Sequence, residues 1–276
     1  MIERTHATPC GMIHYWVSEA PETDAALVLL PGLTADHRLF ARQVEGFEGK
    51  FRLLTWDAPG HAASWPFQLT FTLADKARWL DEILTAEGIT RPVLVGQSMG
   101  GYLGQMYLQL FPGKAAGFVS IDSAPLQRRY YTAAELWLLK RMEPVYRRYP
   151  WKALLRSGSS GVATTAYGQQ LMRAMMMTYD GDQPRYAALA GHGYRMLAEA
   201  VEADRPYRID CPALLLCGEE DRAGSTRRYN RAWARTSGFR LEWIRKAGHN
   251  ANTDRPEEVN ALLEAFAAQI GLEPQK

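Results

Sequence analysis

The chain has 276 residues, 47% of them hydrophobic and 22% charged, with a formal net charge of +2. These values fit one large α/β domain carrying an insertion, and they give no general reason for binding nucleic acid or an anionic membrane. No apolar run approaches the roughly 20 residues that span a bilayer, the first six residues lack the apolar centre of a signal peptide, and Cys10, Cys211 and Cys217 show no ligand-type spacing, so a reduced, cytoplasmic protein is expected.

In chain order, Gly11 to Ser18 predicts a strand that pairs with a shorter one near Ile2 to Ala7. Ala25 to Leu30 is continuously apolar, the mark of a strand covered on both faces. Helical spacing follows from about Arg38 to Phe47, then a strand at Phe51 to Trp56 closed by Asp57-Ala58-Pro59-Gly60. From Thr72 to Ala86, Leu73, Ala77, Leu80, Ile83 and Leu84 share one helical face, and Glu87-Gly88 ends the helix. Val93 to Val95 predicts the next strand, Tyr102 to Phe111 the next helix, and Ala115 to Ile121 another buried strand.

The rhythm then breaks. Residues 126 to 208 show only helical stretches, separated by Pro150, Gly158 to Gly161, Asp180-Gly181-Asp182 and Gly191, with 13 Lys or Arg against 7 Asp or Glu. Alternation resumes with a strand at Pro212 to Leu216, a helix near Arg227 to Thr236, a strand at Arg240 to Ile244 and a helix from Pro256 to Ile270. The expected fold is a mostly parallel sheet with helices on both faces, formed by residues 1–125 and 209–276 and interrupted by an inserted helical segment at 126–208.

Between the fifth predicted strand and its helix stands Gly96-Gln97-Ser98-Met99-Gly100, a G-x-S-x-G sequence in which a sharp turn holds the serine at its apex. Side chains at the two glycines would block the approach of helix to strand. A serine nucleophile needs a base, and the base an orienting acid. Of six histidines, His249 lies past the last strand, at the sheet edge where α/β proteins put their sites. For the acid, Glu219, Glu220 and Asp221 follow one strand and Asp122 ends another; loop periodicity does not choose among them.

The serine motif, Cys217-Gly218-Glu219-Glu220-Asp221 and Gly248-His249, in that order, resemble the α/β-hydrolase superfamily, from about Gly11 to Ile270. The resemblance implies an eight-stranded sheet with a helical cap at 126–208. Its Gly-x-x-Asp turn points to Asp221 as the acid, giving Ser98, His249 and Asp221 as catalytic residues. It implies an oxyanion hole formed by the backbone N–H groups of Met99 and of Leu33, the latter in Leu30-Pro31-Gly32-Leu33-Thr34, where many relatives have His-Gly. Asp57 to His61 with Ser64 is similar to the family's D-x-R-G-H-G-x-S turn, with proline and alanine at two positions, and is expected to be structural.

The implied activity is serine hydrolysis of an ester or related acyl bond, carboxylesterase-like, on a small to medium apolar molecule, without metal or organic cofactor. C–C bond hydrolysis of a vinylogous diketone is the enzymatic alternative, and small-molecule sensing by a triad-retaining protein the non-enzymatic one. Trp137, Met172 and Met176 are candidate pocket residues, although the same residues would equally serve to pack cap helices. The basic cap admits an acyl carrier protein as partner, with solvated helix surface the plainer explanation. Monomer and homodimer are both open.

Overall fold

A computed structural model of the chain describes residues 1–18 and 25–272. Eight strands form one sheet: β1 (Ile2–Thr8), β2 (Gly11–Val17), β3 (Ala25–Leu30), β4 (Leu53–Trp56), β5 (Arg91–Gln97), β6 (Gly117–Ile121), β7 (Ala213–Gly218) and β8 (Arg240–Ile244). Their spatial order is β1-β2-β4-β3-β5-β6-β7-β8. The first two pairings, β1 with β2 and β2 with β4, are antiparallel, and every other neighbour pair is parallel.

The continuous apolar strands follow from burial on both faces. Ala26, Val28 and Leu30 of β3 enter one hydrophobic cluster with Leu94 of β5, while Leu27 and Leu29 enter the opposite one with Val93 and Val95. Successive side chains point to opposite faces, so a strand between two helical layers has no room for polar residues.

Helices α1 (Ala41–Phe47), α2 (Leu73–Ala86), α3 (Met99–Leu110), α9 (Thr226–Ser237), α10 (Ala251–Asp254) and α11 (Pro256–Gln269) belong to the chain flanking the sheet strands. Thr72 caps α2 through a capping box with Asp75, a pairing that satisfies two orphan donors of the first turn. The helix expected at Pro256 to Ile270 is α11; the short α10 before it was not expected, and the two are separated at Arg255.

Between β6 and β7 the chain forms α4 (Ala133–Leu139), α5 (Met142–Arg148), α6 (Trp151–Ser160), α7 (Ala166–Met176) and α8 (Gln183–Glu202). Gly191 does not separate helices as expected. It lies inside the 20-residue α8, where an added Cβ would come within 2.3 Å of the Glu143 Cβ, so the glycine serves close packing of α8 on α5. Among the described residues, no helix is long and apolar enough to cross a membrane.

Candidate active site

The site begins at the C-terminal end of β5. Ser98 has φ +50° and ψ −115°, backbone that a non-glycine residue occupies only when its surroundings impose it. The surroundings are tight. A Cβ on Gly96 would stand 2.4 Å from the Gly100 carbonyl carbon, and one on Gly100 would stand 1.9 Å from the Leu30 carbonyl oxygen. Helix α3 can start at Met99 only because both positions are bare.

His249 reaches this serine from the loop after β8. Its Nε2 lies 2.9 Å from Ser98 Oγ, and its Nδ1 lies 2.9 Å from Asp221 Oδ2 in the turn after β7. Burial disfavours a charged imidazole, but the Asp221 carboxylate, with Asp122 beyond it, outweighs that and raises the His249 pKa. Asp122, the other candidate acid, points elsewhere: its carboxylate accepts from the backbone N–H groups of Gly218 (2.7 Å) and Ala251 (3.0 Å). Burial and the Asp221 charge hold Asp122 well above the usual carboxylate range. It fastens the acid turn to the segment after the histidine.

Two further side chains support the histidine and were not picked out by sequence reasoning. Gln97 donates through Nε2 to the His249 carbonyl (2.8 Å) and to Asn250 Oδ1 (3.2 Å); its place beside the serine in the elbow was the available signal. Asp254 accepts from the N–H of Gly248 (2.8 Å) and also from Thr164 N, Thr165 N and Thr165 Oγ1 in the inserted segment. No local motif marks that role.

The loop after β3 lies against the elbow. A Cβ on Gly32 would approach Gln97 Oε1 to 2.3 Å and Ser98 Cβ to 3.1 Å, so the following residue, Leu33, is held beside the serine. Among the described residues, neither the Leu33 nor the Met99 backbone N–H has an acceptor. Helix α8 rests on the same loop, because the bare Cα of Gly193 faces Leu33, whose Cδ1 would be 2.4 Å from an added Cβ.

Two cavities of about 300 and 380 Å³ meet at Ser98 and His249, and Leu33, Tyr194 and Ala223 border both. Met172 lines the first. Trp137 lines neither: the residue is 56% exposed on the solvent side of α4, its ring under the Arg141 guanidinium at 4.1 Å. Helix α4 turns only Leu136 fully inward, and Leu138 and Leu139 border the second cavity instead. Met176 is wholly buried, its thioether filling the space above Gly158, so it packs α7 on α6.

Among the described residues, two groups carry ligand-type atoms close together, Asp36 with His37 and Asp57, and Asp122 with Cys217 and Asp221. Their carboxylates are already engaged, Asp36 by Arg38 and Asp57 by His37 and the Ala63 N–H. Each is accounted for as a hydrogen-bond node.

A serine raised on a strained strand-to-helix turn, in a sheet of this order, defines a hydrolase fold class. The chain belongs to the alpha/beta hydrolase family, whose description matches residues 27–262. It is 32% identical to 3-oxoadipate enol-lactonase 1 of Acinetobacter baylyi over 91% of each chain. It is 25% identical to an uncharacterized carboxylesterase of Bacillus subtilis (strain 168), covering 96% of this chain and 87% of that relative. A thermophilic esterase from Thermogutta terrifontis superposes with a TM-score of 0.75 at 21% identity, over 98% of this chain and 99% of that one.

Proposed function

We propose that the protein is a serine hydrolase that cleaves an ester or related acyl bond through an acyl-enzyme, with Ser98 as nucleophile, His249 as general base and acid, and Asp221 as its orienting acid. The observation that carries this reading is the unbroken line from Ser98 Oγ through the imidazole to Asp221, two contacts of 2.9 Å each, opening onto a cleft.

In this scheme the Ser98 hydroxyl gives its proton to His249 Nε2 while attacking the acyl carbonyl. Asp221 keeps the Nδ1–H tautomer and stabilises the imidazolium. The Leu33 and Met99 amides receive the oxyanion, a contribution of roughly 10²–10³ in turnover for one such donor. The imidazolium then protonates the leaving group, and water resolves the acyl-enzyme by the same route. The inserted helices act as the cap of the cleft. The related enol-lactonase and carboxylesterase fit this reading, since both names denote attack at an acyl carbon. Three cysteines without a disulfide agree with a cytoplasmic setting.

Fluorophosphonate labelling followed by a panel of p-nitrophenyl esters tests the reading. The expected result is labelling at Ser98 and steady multiple turnover, both abolished in Ser98→Ala, with Asp221→Asn lowering kcat by about 10⁴. Because kcat/KM needs a neutral imidazole, activity should fall as pH drops through the raised His249 pKa. Absence of labelling, or a single slow turnover without release, overturns the proposal.

A further inference from the structure

The two cavities that meet at Ser98 share a property with consequences for what they admit. Among the described residues lining them, none is a lysine or an arginine. The first presents neutral hydroxyls, from Thr34, Tyr146, Ser157, Tyr186 and Tyr194. Burial keeps the phenols of Tyr146 and Tyr186 protonated, with Tyr186 pushed up to about 12 and Tyr146 well above its ordinary value; the Tyr146 hydroxyl is committed to Tyr194 at 3.3 Å.

Among the described residues lining the two cavities, the one carboxylate is Glu135, in the second. Although partial burial disfavours its charge, the Tyr229 hydroxyl, the Thr132 donors and Arg228 hold Glu135 below the usual carboxylate range. Arg228 stands outside: its side chain is 67% exposed, lies over the Tyr229 ring at 4.9 Å and pairs with Glu135 at 3.4 Å. It offers no free cation to the interior. Behind the serine stand Asp221 and Asp122, both buried.

Resting on the hydrolase reading above, we propose that this cleft selects substrates uncharged in both acyl and leaving groups, and rejects those bearing a carboxylate or phosphate there. An anionic group entering either cavity would leave water for a wall with no positive partner, and a charge without a partner in such a place is strongly disfavoured. In the second cavity Glu135 adds direct repulsion. Neutral ester and ketone oxygens meet the Tyr194 hydroxyl, which accepts from Tyr146 and keeps its own proton to donate.

Two matched pairs test this in the intact protein. On the acyl side, p-nitrophenyl methyl glutarate is compared with p-nitrophenyl hydrogen glutarate, and on the leaving side the pentanoate of methyl 4-hydroxybenzoate with that of 4-hydroxybenzoate. Each rate is normalised to the hydroxide-catalysed rate. The expected kcat/KM is lower by about 100-fold or more for each carboxylate.

Leu138, 52% exposed on the second cavity's wall, is a position where lysine is compatible with folding. Leu138→Lys should narrow one of the two gaps by about tenfold, with Glu135→Gln acting in the same direction on the same pair. Wild-type ratios under tenfold, or gaps unchanged in both variants, overturn the proposal. If Ser98 labels and the neutral esters turn over, the hydrolase reading stands whatever those ratios are. If neither happens, both fall together.

Discussion

Lys76 is 3% exposed inside the molecule and has no acidic partner among the described residues. Burial brings its ammonium down to about 8, and its charge helps depress His61 to about 3 and His192 to about 4, after the larger effect of burial on each ring. Below pH 8 both folded and unfolded chains carry the proton, and the folded one bears the cost of an unpaired buried charge. Between pH 8 and the lysine's ordinary value near 10.5 only the unfolded chain still holds it, so stability rises with pH across that window. Lys76→Met should therefore stabilise at pH 7, by roughly 1–3 kcal/mol, and by much less at pH 10. Urea midpoints at the two values check this, and an equal gain at both would refute it. The two imidazoles act in the same direction in a lower window: kept neutral by folding, they cost stability as pH falls from about 6.5 toward 4 and 3, where the unfolded chain takes up their protons first.

Among the elements, the elbow is the least tolerant. An alanine at Gly100 would force its Cβ against a backbone carbonyl of β3 rather than against a side chain that can turn away. Gly100→Ala should lower thermal stability by about 3 kcal/mol or more, or prevent folding, with the transition read by circular dichroism. This element was legible because its requirements are local: a β-type apolar run, two glycines, and a helical stripe. Strands β3 and β8 were legible for the same reason, with both ends matching the sequence expectation. The inserted helices were read less well. Gly191 looked like a break because the sequence does not display Glu143, whose packing demands it. Trp137 looked like a wall residue because apolar character does not say which side of a short helix faces inward; Arg141, four residues on, covers it from outside. In the candidate site, Ser98 and His249 were marked by local motif and strand end, whereas loop periodicity left Asp221 and Asp122 open; the family resemblance favoured Asp221, and the distant backbone donors claim Asp122.

At the scale of the whole molecule, the insertion and the sheet are stitched together beside the histidine. Asp254 holds Gly248 N and the chain at Thr164 and Thr165 through one carboxylate, and Asn250 N donates to the Val162 carbonyl at 2.8 Å. Asp254→Asn leaves an acceptor oxygen but removes the charge and one acceptor site. It should lower kcat by about tenfold with a smaller change in KM, because the imidazole loses orientation before the cavity loses shape; a pure KM effect would count against that role. A second junction lies at Gly193, where α8 meets Leu33 with no side chain of its own between them. On the mechanism proposed above, roof and anion support are thus one mechanical unit. On that mechanism, a molecule too bulky to be covered would meet a hydroxyl deprived of half its electrostatic help, so size would be judged in the rate of bond breaking rather than in the tightness of binding.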